Sequence, residues 1–204
     1  SSEAAIKYYV LGAMSSGILL FGISLIYGFT GSINYFEIAN QLNGMNNTSI
    51  EYLGVTFGIM FITASLCFKF GAAPFHMWVP DIYQGSLIST TVLLSTVPKI
   101  AVFIVFLKLY YIPFLELEYI WSDILIFVGV LSIIIGSIFA LTQENIKRLL
   151  AYSAISNIGF ILLSLGLVSD GGVQASLYYT IVYSFTALAS FGVITHITSN
   201  SAGI

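Results

Sequence analysis

Uncharged stretches dominate the pattern of this chain. Residues 10–35, 52–68 and 124–143 carry no charged side chain, and about 20 apolar residues suffice for a helix to cross the hydrocarbon of a bilayer. None of these runs alternates with the period of two that marks a barrel strand. Lipid satisfies no free backbone N–H or C=O, so helices are what remains. The pattern predicts about six spans, at residues 5–29, 52–84, 87–111, 124–141, 149–168 and 173–197. The second is expected to be discontinuous, because Gly71-Ala72-Ala73-Pro74 removes a backbone donor part-way along it. Residues 34–50, rich in Asn and Gly and without helical periodicity, are expected to form an extramembrane loop. Pro113 with Glu116, Glu118 and Asp123 marks the next connection, and Gly171-Gly172 a turn before the last span. The expected fold class is an all-α membrane protein, a single transmembrane helical bundle over residues 1–204. The chain begins Ser1-Ser2-Glu3, without Met and with no signal-peptide pattern before the first span. An excerpt or split piece of a longer subunit is therefore expected.

Composition agrees. The chain is 58% hydrophobic and 7% charged, whereas soluble domains carry about 25% charged residues; a water-facing surface cannot be covered with so little charge. The net charge of −3 indicates no partner, and nothing suggests nucleic acid. A lone thiol, Cys67, neither ligates an iron–sulfur cluster nor closes an internal disulfide, and reads as a small buried hydrophobe. No phosphate-binding glycine loop after a strand and no metal-ligand spacing is present. If the discontinuous segment crosses once, Lys7, Lys147 and Arg148 share one side. Glu37, Glu51, Glu116, Glu118, Asp123 and Asp170 then share the other, with only Lys108 near them. The Lys/Arg bias assigns the basic side to the cytoplasm or matrix.

Two lysines fall inside apolar spans. A lysine at a helix centre costs about 2.5–3.5 kcal/mol on insertion scales and usually faces the bundle interior or a water-filled cavity. Lys99 has apolar flanks on both sides, and Lys69 stands just before the Pro74 break. Each has two readings: an ammonium that snorkels to the interface, or a buried amine that exchanges protons. Thr91, Ser95 and Lys99 follow at i, i+4 and i+8, one polar stripe on a helix. Pro98 disturbs the backbone beside Lys99, and broken helices expose backbone dipoles at membrane depth. Desolvation disfavours the charged form of an amine, so an amine placed there can release a proton when a neighbouring charge changes. That favours exchange.

The remaining polar residues divide the same way. His76, just past Pro74, is either a proton relay near neutral pH or a hydrogen-bonded structural histidine. Ser153, Ser156, Asn157 and Ser164 form a polar face that serves interhelical packing or holds a file of water. Lys108, close to a span end, reads as snorkelling; His196 as structural; Glu3 and Lys7 as a local i, i+4 ion pair.

The stretches SSEAAIKYYVLGA (1–13), FKFGAAPFHMWVPDIYQGS (68–86) and LTQENIKRLLAYSAISNIGF (141–160) resemble one family. It is the antiporter-like subunits of respiratory complex I represented by subunit 2 of mitochondrial NADH:ubiquinone oxidoreductase and by the N subunit of bacterial NADH:quinone oxidoreductase. The resemblance runs over essentially all 204 residues. It implies a fold of inverted five-helix repeats in the membrane arm and a proton-translocating function coupled to quinone reduction elsewhere in the complex. It implies no cofactor on this chain, with NADH, FMN, iron–sulfur clusters and ubiquinone in other subunits. The family's central lysines match Lys69 and Lys99, and its motif histidine matches His76. A family glutamate on the preceding helix and a lysine on a later helix lie outside these residues, so a partner chain or segment is expected to supply them, among other membrane-arm subunits and lipid. The chain departs from the family at Asn157, where members commonly carry His, and at Leu87, where many carry Pro. Placement in the mitochondrial inner membrane is expected from the resemblance and the Asn/Tyr/Phe-rich usage, with a bacterial plasma membrane as the alternative. Two other readings stay open: a structural scaffold with an idle proton path, and a cation/proton antiporter subunit.

Overall fold

The computed structural model describes residues 2–46 and 48–201, with side chains to residue 198. It is helical throughout: α1 Ser2–Thr30, α2 Tyr35–Asn43, α3 Ile50–Phe70, α4 Trp78–Gly85, α5 Ile88–Tyr110, α6 Glu118–Leu141, α7 Ile146–Gly166 and α8 Asp170–Ser201, with a short 3₁₀ turn at Leu115–Leu117. Among the described residues, six helices are long and apolar enough to cross a membrane: α1, α3, α5, the Leu115–Leu141 segment, α7 and α8. Large apolar side chains such as Leu20, Phe127 and Phe185 point outward, while Thr91, Ser95, Lys99 and Ser132 are buried. Hydrophobic side chains outside and hydroxyls inside suit a bundle whose surroundings are lipid or other helices.

The expected breaks hold, and three boundaries change. Residues 34–50 are not all loop. Asn34 accepts a hydrogen bond from the Phe36 N–H at 2.9 Å and caps α2, whose Ile38 and Leu42, one turn apart, are buried. Nine residues with two apolar anchors are too few to show a period above their polar neighbours.

The acidic patch is not purely a connection either. α6 starts at Glu118, so Glu118 and Asp123 ride on its first turns. Trp121 fixes that start, buried against Tyr110 and donating its indole N–H to the Phe114 carbonyl at 2.8 Å.

Gly171-Gly172 lies within the first turn of α8. The reversal falls at Val168, whose φ is 45°, and the Ser169 hydroxyl accepts from the Gly172 N–H at 3.1 Å, opening the helix ahead of the glycines.

Small residues set the tightest packing. An added Cβ at Gly159 would come within 2.6 Å of the Gly129 carbonyl oxygen, and one at Gly136 within 2.6 Å of the Ser156 nitrogen. α6 and α7 therefore touch backbone to backbone, as small-residue helix pairs in membranes do. Gly22 and Gly58 join α1 to α3 in the same way, with a Cβ at Gly22 coming 2.8 Å from the Gly58 carbonyl oxygen.

Candidate functional site

The site begins where α3 ends. Gly71 has φ +80°, a left-handed conformation that favours glycine. Its N–H reaches back to the Cys67 and Phe68 carbonyls at 2.9 and 3.0 Å, and the Ala72 N–H also returns to Cys67. In a continuous helix the Phe70 carbonyl would receive the N–H of residue 74, but that residue is proline and has none. The Lys99 ammonium takes its place and donates to the Phe70 carbonyl oxygen. Two more backbone groups at the break bond to other elements. Trp78 donates its indole N–H to the Phe68 carbonyl at 3.0 Å, and the Ser132 hydroxyl of α6 accepts from the Ala73 N–H at 2.8 Å. Broken backbone at membrane depth is tolerated where it is satisfied in this way.

Lys99 is 1% exposed. Its nitrogen lies 5.3 Å from the Trp78 ring centre and 5.9 Å from that of Phe70, both within cation–π range. An added Cβ at Gly71 would sit 3.0 Å from that nitrogen. A glycine is thus needed here for the backbone angle and for the room. Thr91 and Ser95 lie on the same buried stripe of α5.

Lys69 is only partly buried and faces a different way. It donates to the Ser16 hydroxyl of α1 at 3.3 Å and lines a cleft of about 460 Å³ between α1 and α5, walled by Tyr8, Trp78, Leu94 and Pro98. Trp78 borders both lysines, since it walls this cleft and lies under the Lys99 ammonium.

His76 packs near Tyr152 of α7, ring centres 6.5 Å apart, whereas the hydrogen bond of Lys69 goes to α1. On α7, Asn157 accepts from the Tyr179 hydroxyl of α8 at 2.7 Å and donates to the Ser153 carbonyl at 2.8 Å. Ser156 meets Ser137 of α6 at 3.2 Å. Ser153, Ser156 and Asn157 also line a cleft of about 440 Å³ beside α6. The polar face thus bonds across helices and still borders open space. Lys108 is exposed in the last turn of α5, and His196 is exposed on α8.

One cluster escaped the sequence reading. Lys7 does pair with Glu3 at 2.8 Å, but it also reaches Asp81 of α4 at 2.9 Å. Arg148 of α7 meets the other oxygen of Asp81 at 3.0 Å and the Gln84 side-chain oxygen at 3.1 Å. The starts of α1 and α7 and the second half of the broken segment are thereby tied together on one face, the basic face of the charge parity. These two cations hold the Asp81 carboxyl below the usual carboxylate range, chiefly through the hydrogen bond from Lys7.

A buried amine on the carbonyl of a proline-broken helix is a narrow arrangement. Residues 1–203 match the family model described as NADH:quinone oxidoreductase/Mrp antiporter, transmembrane. The chain belongs to this family. It is 47% identical over 192 residues to NADH-quinone oxidoreductase subunit N of Ruthia magnifica subsp. Calyptogena magnifica, covering 94% of this chain and 40% of that protein. To the subunit N of Pelagibacter ubique it is 44% identical, covering 99% of this chain and 42% of that one. The chain therefore spans about two fifths of the length of these relatives.

Among solved structures, a chain of respiratory complex I from Thermus thermophilus superposes with a TM-score of 0.75 at 33% identity, covering 94% of this chain and 40% of its own. A chain of the Mrp complex from Dietzia sp. gives a TM-score of 0.83 at 23% identity, covering 93% of this chain and 34% of its own; this likeness concerns the fold alone. Family and helices together make this a multi-pass membrane protein. The two named relatives are bacterial, and a mitochondrial location reads across from them only by analogy.

Proposed function

We propose that this chain is a portion of an N-type, antiporter-like subunit of NADH:quinone oxidoreductase and carries protons across the membrane through Lys69 and Lys99. The observation that carries the reading is the Lys99 ammonium, buried at the helix break with the Phe70 carbonyl as its acceptor. An amine so placed takes up or gives up a proton according to the charges around it. Lys69, in the α1/α5 cleft that Trp78 also lines, receives or supplies that proton. His76 and the Ser153, Ser156 and Asn157 face give secondary support on the α7 side. The redox chemistry belongs to other subunits, which hold NADH, FMN, iron–sulfur clusters and quinone. Other membrane-arm chains or segments cover the cleft at Lys69 and complete the path, within a bacterial plasma membrane or the mitochondrial inner membrane.

Identities of 44% and 47% to N subunits, against 23% to the Mrp chain, favour this reading over a stand-alone cation/proton antiporter. Purification from the native membrane separates the two. The chain is expected to travel with soluble subunits that oxidise NADH and reduce quinone. Recovery with antiporter subunits only, and no NADH oxidation, would contradict the proposal.

A further inference from the structure

The stripe that carries Lys99 continues toward the basic face. Thr91 and Ser95 are fully buried, and four residues of helix separate each polar group from the next by about 6 Å. Beyond Thr91 the polar groups go on. The Thr91 hydroxyl lies 2.7 Å from the Ser86 hydroxyl, and the Ser86 carbonyl accepts from the Lys147 ammonium at 3.0 Å. Ser86 and Lys147 are only partly buried. Hydroxyls thus lead from the rim of the bundle to the buried amine.

One further observation points to water along this line. Pro98 has no N–H to offer the Leu94 carbonyl, which leaves an acceptor beside Ser95. Groups about 6 Å apart are too far for a direct bond, but two waters in series, each bond about 2.8 Å long, bridge them.

We propose that Ser86, Thr91 and Ser95 are relay hydroxyls that bring protons to Lys99 from the face carrying Lys7, Lys147 and Arg148. The proposal rests on the carrier role given to Lys99 above. Each hydroxyl or water accepts a proton on its oxygen as it passes its own onward, so no charge is left behind. The last proton adds to the lone pair of the neutral Lys99 amine. Lys147 marks the rim through its bond to Ser86 and is not itself a relay group.

The test uses the full-length subunit in its assembled complex, reconstituted in vesicles, with protons pumped per NADH oxidised as the readout. Thr91→Val and Ser95→Ala keep shape and remove the hydroxyl; each is expected to lower the ratio severalfold. Thr91→Ser and Ser95→Thr, which restore a hydroxyl, are expected to pump near the unaltered level. Ser190→Ala, at a half-buried hydroxyl of α8 that bonds the Thr186 carbonyl of its own helix, off this line, is expected to change nothing.

Normal pumping by both hydroxyl-free variants would overturn the route. If Lys99→Met loses pumping in the same preparations, the lysine keeps its role. If Lys99→Met also pumps normally, the underlying reading fails as well. Should the hydroxyl-free variants not assemble, Ser95→Cys decides by labelling with a membrane-impermeant thiol reagent, because only a hydrated thiol ionises and reacts. Labelling from the basic face supports the route; labelling from the opposite face, or from neither, overturns it.

Discussion

At the scale of single residues, Gly71 and Lys99 act as a pair. The left-handed backbone of Gly71 ends α3, and the absence of a Cβ leaves space for the ammonium. Gly71→Ala would place an L-residue where such conformations cost about 1–2 kcal/mol and push a methyl toward Lys99 and the Val79 side chain. The expected result is a complex of lower thermal stability that also pumps poorly. A stability loss with an unchanged pumping ratio would show that the lysine position does not matter.

Lys99→Met and Lys99→Ala are expected to differ in stability. Both leave the Phe70 carbonyl without its donor, at about 1–3 kcal/mol, but Met fills the space whereas Ala also leaves a cavity. Thermal melting of the two purified complexes checks this, with the Ala variant melting lower. The sequence pointed to both lysines because a charge in an apolar run is conspicuous. It did not show Asp81 as the junction of two cations, because Lys7 and Arg148 lie far from it along the chain and neither i, i+4 spacing nor composition pairs them.

At the scale of elements, the six spans could be read from apolar runs, and the break from Gly71 and Pro74. What the runs could not supply were helix starts. Those depend on one capping side chain, as at Asn34, Asn145 and Ser169, or on a tertiary anchor, as at Trp121. The pairing of α6 with α7 was hidden as well, because glycines in an apolar run look like any small residue until a backbone lies against them. The close approach makes a sharp prediction. Gly159→Ala or Gly136→Ala forces a methyl onto backbone atoms of the other helix, an overpacking cost of about 1–3 kcal/mol. Each is expected to lower the melting temperature of the complex, whereas Gly17→Ala, where an added methyl meets nothing within 4 Å, is expected not to lower it. Equal effects at all three positions would contradict the packing described.

At the scale of the whole molecule, the Asp81 clamp joins the ends of α1, α4 and α7 on the basic face and so holds the second half of the broken segment beneath the lysines. Because the folded-state carboxyl is held below its ordinary pKa, the clamp's contribution is fully present above the usual Asp range, near pH 4. It is lost as the pH falls through the lowered value. Melting curves across acid pH are expected to show this loss in the unaltered protein. Asp81→Asn is expected to melt lower at neutral pH and to lack that part of the acid dependence. An identical acid profile in Asp81→Asn would show that the clamp contributes nothing.

The central claim, that the buried Lys99 and the partly buried Lys69 at the helix break carry the protons, is tested most directly by the number of protons pumped per NADH oxidised in vesicles containing complexes with Lys69→Met or Lys99→Met. Both variants are expected to assemble and to pump markedly fewer protons for each NADH than the unaltered complex. Fully assembled complexes with both ratios unchanged would contradict the account.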